Sequence, residues 1–157
     1  MDGSLSRAEL AEKYFREGYN CSQAVVLAFS DILDTDLESL KRISSSFGGG
    51  MGRLREVCGA FSGMLIVLGY VAGYAAPETG PVKAEHYKRI QELARLFSEA
   101  NGGSIVCREL LHLDKSSQNG TQPSPRTEEF YRKRPCLGII GNAAVILDKY
   151  LKENDLI

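Results

Sequence analysis

Four cysteines are the residues of this chain best suited to chemistry. Cys21, Cys58, Cys107 and Cys136 follow one another at intervals of 37, 49 and 29 residues. No two of them form the C-x-x-C pair that marks a zinc ribbon or a thioredoxin-like site. Their surroundings must therefore decide between thiol–disulfide exchange, metal ligation and simple packing as small apolar side chains.

Each cysteine lies at or near the predicted start of a helix or, for Cys136, beside a possible restart. The signals are Asn20 before Cys21, an apolar segment after Cys58, Ser104 three residues before Cys107, and Pro135 before Cys136. Unpaired N–H groups and the positive end of a helix dipole lower the pKa of a thiol, so we expect thiolate character at these positions. Arg108 and the basic run 132–134 add positive charge near two of the cysteines. Alternatively, Pro135 restarts a kinked helix and the basic run lies on a solvated face.

Two glycines follow the second cysteine one helical turn apart. Gly59 and Gly63, with Ala60 between them, leave almost no side-chain bulk on one face of the predicted helix. Another helix, a cofactor or a substrate could approach Cys58 closely there. The alternative is that the glycines serve helix packing alone.

The segment around these glycines resembles a known motif. Residues 58–63 read CGAFSG and resemble the CGAxxG motif of a four-cysteine family of redox-active proteins (C_GCAxxG_C_C). Residues 18–25, GYNCSQAV, resemble the family's first motif, residues 107–111, CRELL, its third, and Cys136 its fourth. The resemblance covers most of the chain and implies a small, mainly helical prokaryotic protein, often encoded near transporter genes. A similar region occurs in split-Soret cytochromes, where an iron–sulfur centre has been suggested.

Three functions remain open. In the first, the four thiolates hold a [2Fe–2S] or [4Fe–4S] cluster or a tetrahedral zinc ion, with Gly59 and Gly63 beside the cofactor. In the second, Cys58 attacks a disulfide and Cys21 or Cys136 resolves the product. Either redox function would make the chain an iron–sulfur or thiol-dependent oxidoreductase with an unidentified redox partner. In the third, the chain is a non-enzymatic helical binding module or transport accessory, with structural zinc or packing cysteines.

Hydrophobic periodicity predicts an all-α protein, a single compact bundle of about six or seven helices over residues 1–157. The helices are expected near 6–18, 21–33, 36–46, 56–75, 81–101, 104–112 and 128–153. Ser6 with Glu9 has the spacing of a capping box, Gly18 is placed to end the first helix, and Asp36 to cap the third. Residues 48–52 and 116–126 are expected to be irregular, the second as a surface loop.

Composition excludes several classes of protein. The chain has 157 residues, 19 Lys and Arg against 20 Asp and Glu, and 43% hydrophobic residues, which fits one soluble globular domain. Residues 1–80 carry 7 basic and 10 acidic side chains and residues 81–157 carry 12 and 10, too even for a nucleic-acid binder. The polar N-terminus favours a cytoplasmic protein with reduced thiols.

Two further features are assigned a structural role. Residues 58–77 hold no charged side chain, yet a central helix of a bundle is favoured there over a membrane span. The apolar run 65–68 could serve a homodimer interface as readily as a core. With His86 and His112 the only histidines, a hydrolase triad or a His-rich metal site is not expected.

Overall fold

The computed structural model describes residues 5–77, 80–114 and 120–157. Its elements are α1 (Arg7–Arg16), α2 (Cys21–Ala28), a 3₁₀ turn (Ser30–Ile32), α3 (Leu37–Ser45), the single turn α4 (Gly48–Met51), α5 (Gly59–Ala72), α6 (Pro81–Ala100), α7 (Cys107–Leu110), α8 (Glu128–Lys133) and α9 (Cys136–Glu153). No strand occurs within the described ranges, where Val57 and Val106 form one isolated antiparallel bridge. The predicted all-α fold is confirmed.

Helices α1, α2 and α3 start where their capping residues predict. Ser6 and Glu9 form a complete capping box, and Asn20 forms a second with Gln23 immediately before Cys21. The Asp36 side chain accepts the N–H of Ser39. Side chains thus satisfy backbone N–H groups that a helix N-terminus leaves without partners.

Helix α2 lies at the centre of the bundle and packs against α1, α3, α5 and α9. Its residues from Ala24 to Ala28 are buried, so it is a core helix. Met64 of α5 and Leu147 of α9 are each 0% exposed, and Phe97 of α6 is 0% exposed against Phe61 of α5. The uncharged helix α5 is therefore a core element, and no helix of the described residues is long and apolar enough to cross a bilayer.

Several predicted helices are shorter than expected. The helix expected over 21–33 ends at Ala28, and that over 56–75 is Gly59–Ala72. The segment expected as one helix over 128–153 is two, because Arg134 is extended at ψ 138° and Pro135 is the N-cap of α9. A residue before proline is pushed out of the helical region, and proline has no N–H to continue the helix. Ser104 does not cap α7; its hydroxyl accepts the N–H of Val106, and the helix begins only at Cys107.

The predicted irregular segment at 48–52 has an unusual backbone. Gly49, Gly50 and Gly52 have φ of 69°, 70° and 63°, and the non-glycine residues Met51, Arg53 and Arg55 have φ of 67°, 69° and 61°. Left-handed conformations are costly for residues with a Cβ and occur mainly where surrounding contacts enforce them. Of the second predicted loop, residues 116–119 lie outside the described residues.

Candidate functional site

All four cysteines line one cavity of about 220 Å³. The cavity lies between the N-terminal ends of α2, α5, α7 and α9, and all four cysteines are free thiols. Cys58 and Cys107 are each 8% exposed, while Cys21 and Cys136 are partly buried. Residues spread over most of the sequence thus meet at one place.

The helix starts supply backbone donors to the sulfur atoms. Cys21, Cys107 and Cys136 are the first residues of their helices, and Cys58 is the N-cap of α5. The thiol of Cys58 faces the backbone N–H groups of Ala60 and Phe61. That of Cys21 faces the N–H groups of Ser22 and Gly49. The expected position of the cysteines at helix starts is confirmed.

The expected lowering of the thiol pKa values is wrong for three cysteines. Burial raises the pKa of Cys21, of Cys58 and of Cys136, the last to about 12. Arg134 and Arg55 lower the pKa of Cys136, but by less than burial raises it. Desolvation of the thiolate therefore outweighs the helix N-terminus, and neighbouring thiols add to the same direction.

Cys21 and Cys107 both act electrostatically on the other thiols of the cavity. The negative charge of a Cys21 thiolate raises the pKa of both Cys58 and Cys136, and that of a Cys107 thiolate raises the pKa of Cys21, Cys58 and Cys136. Charges that share a poorly solvated site interact in this way. The four sulfurs therefore belong to one interacting group.

Cys58 and Cys107 are held together by the main chain. The N–H of Cys58 donates to the carbonyl oxygen of Ile105 at 2.7 Å, and the N–H of Cys107 donates to that of Glu56 at 2.6 Å. These bonds flank the bridge between Val57 and Val106. The relative placement of these two cysteines is therefore fixed by backbone hydrogen bonds rather than by side-chain packing.

Arg55 is a site residue that the sequence analysis missed. It is 7% exposed, and its Nη1 lies 3.7 Å from the sulfur of Cys107. A guanidinium group in this position stabilises negative charge on sulfur. The only signal in the sequence is an arginine between a glycine run and the CGAxxG segment. Of the basic residues that were predicted to act on the thiols, Arg134 lines the cavity and Arg108 does not.

Gly59 admits the sulfur of Cys21. A Cβ at position 59 would clash with Cys21 Sγ and would lie 2.7 Å from the carbonyl oxygen of Phe47. Gly63 lies outside the cavity lining; a Cβ there would meet the carbonyl oxygen of Ser22 at 2.9 Å and Val25 at 3.0 Å. The first glycine thus serves the cysteine site, and the second serves the packing of α5 on α2.

The left-handed turn also shapes the site. A Cβ at Gly50 would lie 2.7 Å from the Cβ of Cys107 and 2.8 Å from the Cα of Arg55. Gly49 and Arg55 both line the cavity. The strained backbone therefore brings the chain tightly around Cys107 and turns Arg55 toward it.

Residues 123–126 cover one side of the cavity. Arg126 donates to the carbonyl oxygens of Phe15 at 2.8 Å and Tyr19 at 3.1 Å, and its guanidinium lies 4.2 Å from the centre of the Phe15 ring. Arg134 reaches the hydroxyl of Ser124 at 3.4 Å. A segment expected to be an ordinary surface loop is thus tied to α1 across the site.

The donor set does not fit a single metal ion. Within the described ranges, no three His, Cys, Asp or Glu side chains are close enough together to hold one ion. Four sulfurs around one zinc lie roughly 3.8 Å apart, given Zn–S bonds of about 2.3 Å. Neither His86 nor His112 lines the cavity.

Comparison with known proteins gives one finding. Residues 19–150, which include all four cysteines, match the model of a family described as "Putative redox-active protein (C_GCAxxG_C_C)". No curated protein and no solved structure matches the chain.

Proposed function

The chain belongs to this four-cysteine redox-active family, and on that premise we propose that it acts by thiol–disulfide exchange at the cysteine cavity. The observation that supports this proposal is that four free thiols, from the starts of four helices, line one cavity. Exchange requires a thiolate, an adjacent thiol and access for a partner sulfur. The cavity provides neighbouring thiols, arginine side chains that favour a thiolate, and space for a partner sulfur.

We assign the attacking sulfur to Cys107. Arg55 is the cation placed on its sulfur, and a thiolate there gains a charge-assisted hydrogen bond. Cys58, chosen from the sequence as the attacking thiol, has no guanidinium group on its sulfur among the described residues, and burial raises its pKa. Cys21 is the resolving thiol because its charge interacts with Cys107 and because Gly59 leaves room for its sulfur.

Thiol counting with peptide mapping tests this proposal. The reduced protein, freed of metal by a chelator, is treated with hydroxyethyl disulfide, and its thiols are counted before and after. We expect the count to fall by two and the new disulfide to join Cys21 and Cys107. The C107S variant should retain its thiols, whereas C136S should oxidise at a rate close to that of the wild type. An unchanged count in the wild type would contradict the proposal, and a different pair would overturn the assignment of roles.

An iron–sulfur centre is a second candidate, favoured by one observation. Backbone N–H groups face the sulfurs of Cys21 and Cys58, and such donors tune the potential of cluster ligands. The four cysteines would be the ligands, and a cluster bound there would supply one-electron transfer. Metal ligation deprotonates a thiol outright, so raised pKa values do not oppose it. Anaerobic reconstitution with ferrous iron and sulfide, followed by visible absorption and iron analysis, tests this candidate. Loss of the chromophore in the C58S variant is expected if it holds, and a colourless wild type would refute it.

A further inference from the structure

The cysteine cavity carries a large excess of positive charge. Its lining includes Arg53, Arg55, Arg126 and Arg134. No Asp or Glu of the described chain lines it. The formal charge of the whole protein is -1, so this accumulation is local to the site.

Three of these arginines contact uncharged groups or sulfur. Arg55 contacts the thiol of Cys107, Arg126 donates to two carbonyl oxygens, and Arg134 reaches a serine hydroxyl. Within the described ranges none of the three forms an ion pair with a carboxylate. Burial and the positive charges of Arg55 and Arg134 lower the pKa of Arg53. Three guanidinium groups that line one cavity, with no carboxylate among the described lining residues, attract an anion.

The rest of the lining limits the size and character of that anion. The cavity of about 220 Å³ is walled partly by Leu110, Ile139 and Ile140, and Pro123 and Ser124 lie over one side. Such a space admits a small molecule with a short aliphatic part, and it does not admit the surface of a folded protein.

Resting on the thiol–disulfide function proposed above, we propose that the oxidising substrate is a small disulfide that carries carboxylates. Its carboxylates would face the arginines and its sulfurs would face Cys107. In the first step the Cys107 thiolate attacks one substrate sulfur, a Cys107–substrate disulfide forms, the original S–S bond breaks and one substrate thiolate leaves. Cys21 then attacks the sulfur of Cys107, which forms the Cys21–Cys107 disulfide and releases the second thiolate. The two protein thiols lose two electrons and two protons, and the substrate gains both as two thiols.

Three small disulfides of different charge test the proposal on the reduced, metal-free protein. 3,3′-Dithiodipropionate is anionic, hydroxyethyl disulfide is neutral and cystamine is cationic, and the three are of similar size. The measurement is the second-order rate of protein thiol loss, divided for each compound by its rate with a free model thiol, so that intrinsic reactivity cancels. We expect 3,3′-dithiodipropionate to exceed cystamine by about ten- to a hundredfold, within the range over which local charge changes association rates. The ratio should fall toward one as salt is raised to about 1 M.

A matched pair of variants assigns the preference to the cavity. R134Q removes a positive charge from the lining, and R132Q removes one from an exposed position two residues earlier. The charge preference should fall several-fold in R134Q and remain unchanged in R132Q. Equal normalised rates for the anionic and cationic disulfides would overturn the inference and leave the exchange function standing. Failure of all three disulfides to oxidise the wild type would instead contradict the exchange function. The salt series on the wild type remains decisive if R134Q does not fold.

Discussion

Replacing Gly59 by alanine tests how the cysteine site is packed. The added Cβ would meet the sulfur of Cys21, the carbonyl oxygen of Phe47 at 2.7 Å and the N–H nitrogen of Ser22 at 3.3 Å. Two of these three neighbours are backbone atoms, so they cannot turn aside as a flexible side chain would. The new methyl group must displace α2, α5 or the sulfur itself.

The expected cost follows from these contacts. Overpacking by one methyl group costs about 1–3 kcal/mol. Alanine gains at most about 1 kcal/mol over glycine in a helix, and less than that at a first helical turn. We therefore expect G59A to lower the free energy of unfolding by about 1–2 kcal/mol. It should also slow formation of the Cys21–Cys107 disulfide, because the sulfur of Cys21 is the first atom displaced.

Gly69 provides the matched control in the same helix. A Cβ at position 69 meets nothing within 4 Å, so G69A should be neutral or stabilising by up to about 1 kcal/mol. Urea denaturation of both reduced variants, followed by circular dichroism, measures the difference, and oxidation by hydroxyethyl disulfide reports on the site. If G59A proved as stable as G69A and oxidised at the wild-type rate, the close approach of Cys21 to α5 would be refuted.

Three further predictions follow from the same contacts. Burial raises the pKa of Cys136 to about 12, against 9.0 for an ordinary thiol, so between these values the native protein keeps a proton that the unfolded chain releases. The free energy of unfolding should be unaffected by this thiol below pH 9 and should decline from pH 9 toward 12. Urea titrations at several pH values would show this decline, and it should be less steep in C136S. R126Q removes a guanidinium that donates to two main-chain carbonyl oxygens and stacks on Phe15. We expect the free energy of unfolding in urea to fall by about 2 kcal/mol and the cysteines to be alkylated faster. An unchanged alkylation rate would show that residues 123–126 do not cover the cysteines. G63A should destabilise the reduced protein by about 1–3 kcal/mol without changing the identity of the disulfide in peptide maps, and a changed pairing would contradict its assignment to helix packing.

The fold could be predicted from the sequence because its signals are local. Capping residues such as Ser6, Asn20 and Asp36 act on N–H groups within three positions, and a period of three to four residues records which helix face is buried. The break at Pro135 is local too. It entered the sequence analysis only as an alternative, because hydrophobic periodicity continues on both sides of Pro135 and favours one helix over 128–153.

The candidate site was predicted only in part, because its energetics depend on long-range contacts. Arg126 acts on carbonyl oxygens more than 100 residues earlier, and no residue pattern encodes such a bond. The sign of the thiol pKa shifts depends on how completely folding removes water from Cys21 and Cys136, which helix position alone does not determine. The grouping of the four cysteines was accessible from their positions near helix starts and from the family resemblance, and the role of Gly59 as a point of close approach from the spacing of Gly59 and Gly63.

The dispersal of the cavity lining along the chain has a consequence for protein synthesis. Lining residues extend from Phe15 to Ile140, so the enclosure is complete only when α9 has emerged from the ribosome and packed on α2. Until then Cys21 and Cys58 belong to an incomplete bundle, in which their thiols are more hydrated and more acidic than in the finished protein. The nascent chain is therefore more vulnerable to oxidants than the mature one, and docking of the last helix is the event that protects its thiols.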